Sequence, residues 1–195
     1  MDDTRQRIVE ATYACVSRSG LGKTTVEEVA RQAEVSRATV YRVFPGGRDE
    51  LIDAAVSWAT VDFFANLALQ VEGAASLEEV MERGITFAHR SIVDHEVLQR
   101  VMLNEPEKLL PALTVESTRV RQWIAAFLTP YLGQRGVVAG VDPAEAADFL
   151  ARMVLSYIVA PGRWDLDDPA QVAQLVRAEL LAGVVPASPP DRGPA

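Results

Sequence analysis

Residues 24–51 read TTVEEVARQAEVSRATVYRVFPGGRDEL, and two short helices joined by a tight turn can be traced through them. Thr24-x-x-Glu27 and Thr25-x-x-Glu28 both fit a capping box, in which a hydroxyl and a carboxylate satisfy backbone N–H groups at a helix start. The helix they open buries Val26, Val29, Ala30 and Ala33 and stops near Glu34-Val35. Ser36 is placed to cap a second helix, RATVYRVF, with Val40, Val43 and Phe44 on its inner face. Pro45-Gly46-Gly47 ends that helix.

Upstream, Ile8, Ala11, Cys15 and Val16 recur at helical spacing and predict a helix of about four turns that stops at Gly20. Between it and Thr25 lies Gly22-Lys23-Thr24, which looks like the heart of a phosphate-binding loop. That loop requires Gly-x4-Gly-Lys-[Ser/Thr] after a strand. Position 17 is serine rather than glycine, and the preceding element is a helix, so the segment reads as a linker and cap.

Three helices with the last two joined by a tight turn make a helix-turn-helix candidate, whose second helix would enter the DNA major groove. With Val40, Val43 and Phe44 inward, that helix leaves Arg37, Ala38, Tyr41 and Arg42 outward. Arginine suits guanine edges and alanine a thymine methyl. Tyr41 offers a ring to the sugar-phosphate wall and a hydroxyl to a phosphate. Thr25, Ser36 and Thr39 supply short donors at helix N-termini, which favour phosphate oxygens. Each of these residues has a plainer reading as cap, packing or solvated surface; the motif as a whole favours DNA. Lys23 reads equally as a phosphate contact or as surface.

This stretch, with its Val-Ser-x-x-Thr-[Leu/Val]-Tyr-x-x-Phe pattern, resembles the DNA-binding domain of the tetracycline-repressor (TetR) family over about residues 4–55. The resemblance implies a homodimer on a palindromic operator, with the C-terminal helices forming both a ligand pocket and the dimer interface. In two places the sequence departs from the family. Where the family has a phosphate-binding lysine three residues after the Phe, this chain has Gly47, and Arg48 follows; the resemblance carries the phosphate role to Arg48. Glu34 stands where the family often has glycine, which implies a turn made without a left-handed residue or made with strain.

The expected fold class is all-α with about nine helices. Residues 1–48 form the helix-turn-helix domain, 49–183 a helical ligand-binding and dimerisation domain, and 184–195 a Pro-rich mobile tail. A long helix is expected from about Asp49 to Leu69, and capping patterns place others after Ser76, Asp142 and Asp168. Between these, helices are expected at about 95–104 and from about 111 or 113 to 134. Met81 and Ile85, with His89 beside them, could line a cavity in which His89 anchors a ligand; Met102, Trp123 and Phe127 read as cavity lining or as core. Phe149, Leu150, Met153, Tyr157, Val172, Leu175 and Val176 form faces wider than one helix stripe. Two such faces could meet their symmetry mates in a four-helix interface, or only close the monomer's own core.

Bulk properties agree with a cytoplasmic regulator. The chain has 195 residues and a net charge of −8, unevenly spread. Residues 1–50 carry eight basic and eight acidic side chains, and residues 51–195 carry eleven and nineteen. The N-terminal segment is therefore repelled least by a polyanion. No unbroken apolar run approaches the roughly 18 residues of a membrane span, and the N-terminus lacks the apolar core of a secretory signal. The lone Cys15 fits a reducing compartment. Only two histidines are present, and no converging set of metal ligands or catalytic groups is evident, so no cofactor, metal or enzymatic activity is expected. The expected function is a repressor, binding operator DNA as a homodimer and released by a small apolar or amphipathic effector. Two alternatives remain: the same domain acting as an activator or a co-repressor-dependent regulator, and a helical carrier or enzyme whose N-terminal helices are a mere support.

Overall fold

The computed structural model describes residues 3–94, 117–135 and 137–186. Among them are eight α-helices and no strand: α1 (Asp3–Ser19), α2 (Val26–Gln32), α3 (Arg37–Val43), α4 (Gly47–Val71), α5 (Leu77–Val93), α6 (Ser117–Arg135), α7 (Pro143–Val159) and α8 (Pro169–Leu175). A π-helical turn, Val176–Leu180, continues α8. The helix expected at 95–104 lies outside the described residues. Two compact units are formed, one ending at Leu69 and the other beginning at Gln70.

In the first unit α1 packs on α2 and α2 on α3. Ile8, Cys15, Val29, Val40 and Phe44 are completely buried together, with Leu51 of α4 joining them. Ala54 and Trp58 pack against the same core, so α4 belongs with the helix-turn-helix well past residue 48, where the sequence placed the domain boundary. By length and composition alone α4 could cross a membrane. Its first turns are instead part of a protein core, and Asp53 and Asp62 interrupt its apolar surface.

Of the two capping boxes legible in the sequence, the second forms. Thr25 caps α2 and Glu28 reaches back to the Thr25 N–H. Thr24 is buried, and its hydroxyl donates to the Gly20 carbonyl at 2.9 Å. The Gly-Lys-Thr segment is thus fastened to the end of α1. Gly20, with φ +85°, ends that helix as its spacing predicts.

The turn between α2 and α3 is a Schellman motif. Val35 N–H donates to Ala30 O at 2.9 Å and Glu34 N–H to Arg31 O at 3.2 Å. This geometry needs a left-handed residue, and Glu34 takes it at φ 54°. Of the two possibilities for this turn, strain is the one realised. A side chain in that conformation costs about 1–2 kcal/mol, against which glycine loses roughly 0.5–1 kcal/mol in unfolded-state entropy. Glu34→Gly is therefore expected to raise the unfolding free energy by about 0.5–1 kcal/mol in urea titration. A variant no more stable than wild type would refute the strain.

The second unit packs α6 along α7 and α5 against α8. Leu77, Met81, Ile85, Leu132, Leu150, Leu166, Val172, Leu175 and Leu180 share its core. Val184 and Val185 are buried in the same core, and Val184 O accepts from Val138 N–H at 3.0 Å. The expected mobile tail therefore cannot begin at 184, because its first two valines close the hydrophobic core. A polar cluster ties the end of α7 to the π-helical turn. Glu179 accepts from the Tyr157 hydroxyl and, at 2.8 Å, from Arg163, whose guanidinium lies over the Trp164 ring.

The Tyr157 hydrogen bond first, then Arg163, hold the Glu179 carboxyl below the ordinary carboxylate range, and the same bond pushes the Tyr157 phenol up. A depressed carboxylate stabilises above its unfolded pKa, and that stabilisation fades as pH falls through the folded value. The raised phenol acts at the other end, its contribution fading only as pH climbs through the folded pKa. Stability from this cluster is thus complete at neutral pH and lost on acidification below the carboxylate range. Glu179→Gln is expected to flatten the acid limb of a urea-midpoint profile; an acid limb identical to wild type would show that the cluster contributes nothing.

Candidate nucleic-acid interface

The geometry of α3 follows from its cap and its buried face. Ser36 adopts an extended backbone and its Oγ accepts from Thr39 N–H at 3.1 Å. The two hydroxyls of Ser36 and Thr39 also share a hydrogen bond of 2.9 Å. Val40 and Phe44 are completely buried, which fixes the helix about its axis. Arg37, Ala38, Tyr41 and Arg42 are then exposed as the sequence predicts, and Thr39 is half-buried. Arg42 makes no ion pair among the described residues.

Tyr41 is 44% exposed, and its ring lies close to Gly47. A Cβ built on Gly47 would meet its Cε1 at 3.3 Å, and Gly47 has φ +66°. Both facts explain why glycine stands here: a lysine would be strained in its backbone and would press on Tyr41. Arg48, the residue that follows, turns inward. Its Nε donates to Thr24 O at 2.9 Å and its Nη2 to Leu21 O. Its third contact is Asp49, at 3.3 Å. The Arg48 guanidinium thus clamps the linker between α1 and α2, on carbonyls rather than on the free surface. Thr25 is exposed at the α2 N-terminus, with its hydroxyl engaged by Glu28.

One partner on this face is missed by sequence reading. Arg37 Nη2 lies 2.8 Å from Glu27 Oε1, both side chains being more than half exposed. The sequence allotted Glu27 to a capping box with Thr24. Only the crossing of α2 and α3 brings the first residue of one near the second residue of the other.

In the second unit the residues expected at a ligand separate. Met81 and Ile85 are buried in the close-packed core. His89 is half-buried with its Nε2 3.8 Å from Asp167, while Trp123 and Phe127 are half-buried on α6. Met102 lies outside the described residues. One hollow of about 690 Å³ is lined by Gln70, Glu79, Glu82, Arg83, Thr86 and Phe87 among others. A second, of about 670 Å³, lies along α7 beside Phe149, Asp148 and Arg152. Among the described residues, those expected at a ligand line neither. The residues expected at a dimer interface divide too. Leu150, Val172, Leu175 and Val176 are completely or almost completely buried in the chain's own core and have no surface left for a partner. Phe149 is 39% exposed, and Met153 and Tyr157 are half-buried.

A helix-turn-helix with an outward, cationic second helix defines a DNA-binding protein. Residues 8–55 match the model of the bacterial regulatory proteins of the tetR family. The HTH-type transcriptional regulator YvkB of Bacillus subtilis (strain 168) is 25% identical over 162 residues, 82% of this chain and 83% of its own length. Another such regulator, Rv2250c of Mycobacterium tuberculosis, is 48% identical over 46 residues, about a quarter (24%) of each chain. Among solved structures, a TetR-family transcriptional regulator from Pectobacterium atrosepticum has the same fold, with a TM-score of 0.65, 22% identity and coverage of 96% of this chain and 97% of that one. The match to the tetR family thus covers the helix-turn-helix and the start of α4, and over most of its length the chain is similar to HTH-type transcriptional regulators.

Proposed function

We propose that this regulator is a homodimeric repressor that reads a palindromic operator through α3 and leaves it when a small molecule binds the C-terminal unit. The observation that carries the reading is the α3 surface: two arginines, a small alanine and a tyrosine on one exposed face, over completely buried Val40 and Phe44. Arg37 and Arg42 would contact base edges, Ala38 a thymine methyl, and Tyr41, Thr25, Ser36 and Thr39 the backbone. Arg48 would act through the linker it clamps, by holding the α2 N-terminus in place.

For the dimer, Phe149 is the exposed part of the expected surface, and Met153 and Tyr157, though packed against the monomer core, keep some surface beside it. Two recognition helices would then have to lie about one DNA turn apart, or a multiple of it. The hollows of about 690 and 670 Å³ are of a size that suits small ligands, and their mixed rims suit an amphipathic one. A coupling of about 1–3 kcal/mol between effector and DNA would change operator affinity between about fivefold and a hundredfold or more.

Selection from a random-sequence duplex library by the full-length protein tests this. Recovered sites should be inverted repeats, and sedimentation should give a dimer at micromolar concentration. Recovery of single half-sites by a monomer would contradict the reading.

A further inference from the structure

Glu27 is an acid placed where a DNA-binding surface would be expected to avoid one. It is the second residue of α2, the helix that crosses the phosphate backbone in this motif, and it is exposed. Its partner Arg37 is the first residue of α3, where the helix dipole disfavours a cation. As an ion pair in water, with both side chains more than half exposed, this contact contributes little to folding. We propose that Glu27 is a specificity-determining residue, which positions Arg37 for base reading and withholds it from phosphates. The proposal rests on the reading that the α3 face meets DNA.

Two physical consequences follow from the 2.8 Å contact. Glu27 takes one N–H of the guanidinium and leaves four, so the fork is held where α2 and α3 cross, with donors free for a guanine edge. Ordering a long, flexible side chain before binding removes an entropic cost that an unbraced arginine would meet in the complex. On an unrelated sequence no base rewards that orientation, and Arg37 gains most by swinging to a phosphate. Doing so abandons the Glu27 carboxylate, unpaired, beside a polyanion. The acid therefore costs the wrong complex more than the right one, which is how discrimination arises without added affinity.

The test uses full-length protein, a duplex selected by wild type and an unrelated duplex, with anisotropy titrations at several salt concentrations. Glu27→Gln keeps the shape and removes the charge. Its affinity for the unrelated duplex is expected to rise about three- to tenfold, with a salt slope steeper by about one unit as Arg37 joins a phosphate. Affinity for the selected duplex should not rise, so the specificity ratio should fall by about three- to tenfold. In an Arg37→Ala background the same substitution should leave the ratio unchanged. Equal tightening on both duplexes would overturn the proposal, because only bulk charge would have been removed. So would a change of ratio that persists without Arg37. If Arg37→Ala by itself leaves the wild-type ratio intact, base reading by Arg37 fails and the role of Glu27 fails with it, while DNA binding by the domain stands.

Discussion

Arg37→Ala combined with Arg42→Ala is expected to abolish preference for the operator while leaving the fold intact. Both side chains are exposed, so neither removal opens a cavity, and surface substitutions of this kind change stability by about 0.5 kcal/mol or less. An arginine bonded to a guanine edge contributes about 1–3 kcal/mol of discrimination. Losing two such contacts costs about 30-fold to more than a thousandfold, provided they act independently. They lie five residues apart along α3, so the assumption is reasonable for contacts to different base pairs. Anisotropy titration against operator and unrelated duplexes reads the effect, with a urea titration as the control. A double variant with wild-type preference would mean that α3 does not read sequence. The same result would favour the alternative in which the N-terminal helices only support a carrier or an enzyme.

Phe44→Ala should destroy the same activity by a different route. Phe44 is completely buried at the end of α3, and the Arg5 guanidinium lies 4.7 Å from its ring centroid. Truncating a buried phenylalanine costs about 3–5 kcal/mol, through lost burial and the cavity left behind. The core it belongs to is small, built from α1, α2, α3 and the start of α4. A loss of that size is a large part of the 5–15 kcal/mol typical of a whole domain. Amide exchange across α1–α3 is expected to accelerate by about two to four orders of magnitude, with DNA binding falling as the unfolded fraction of the domain grows. Protection like that of wild type would show that Phe44 is not a keystone of the motif. The two variants are complementary: the arginine pair removes contacts from a folded surface, whereas Phe44 removes the surface.

The helix-turn-helix was legible because its signals are local. Caps at Thr25 and Ser36, the stop at Gly20 and the buried stripe of α3 each lie within a few residues of what they control. Even the anomaly at Glu34 was visible, since a Schellman turn demands a left-handed residue wherever its hydrogen bonds form. What escaped depends on distant parts of the chain. Arg48 meets Leu21 and Thr24, 27 and 24 residues away, and no spacing rule announces that clamp. Glu27 and Arg37 are neighbours only because α2 and α3 cross.

The second unit was harder to read for a further reason. An apolar stripe looks the same whether it faces its own core, a ligand or a second copy. Val172, Leu175 and Val176 were offered to a partner, and the chain's own core takes them. Met81 and Ile85 were offered to a ligand and went the same way. Val184 and Val185 looked like the start of a tail because proline follows them in sequence, yet two adjacent valines can complete a core before the chain departs.

The N-terminal unit is expected to bind DNA by sequence through α3. The most direct measurement is an anisotropy titration of the full-length protein with the DNA flanking its own gene, against an unrelated duplex, across a range of salt concentrations. Tighter binding to the flanking DNA is expected, with affinity for both duplexes falling steeply as salt rises because phosphate contacts release counterions. Equal affinity for the two duplexes at every salt concentration, together with failure to enrich any site from a random library, would contradict it.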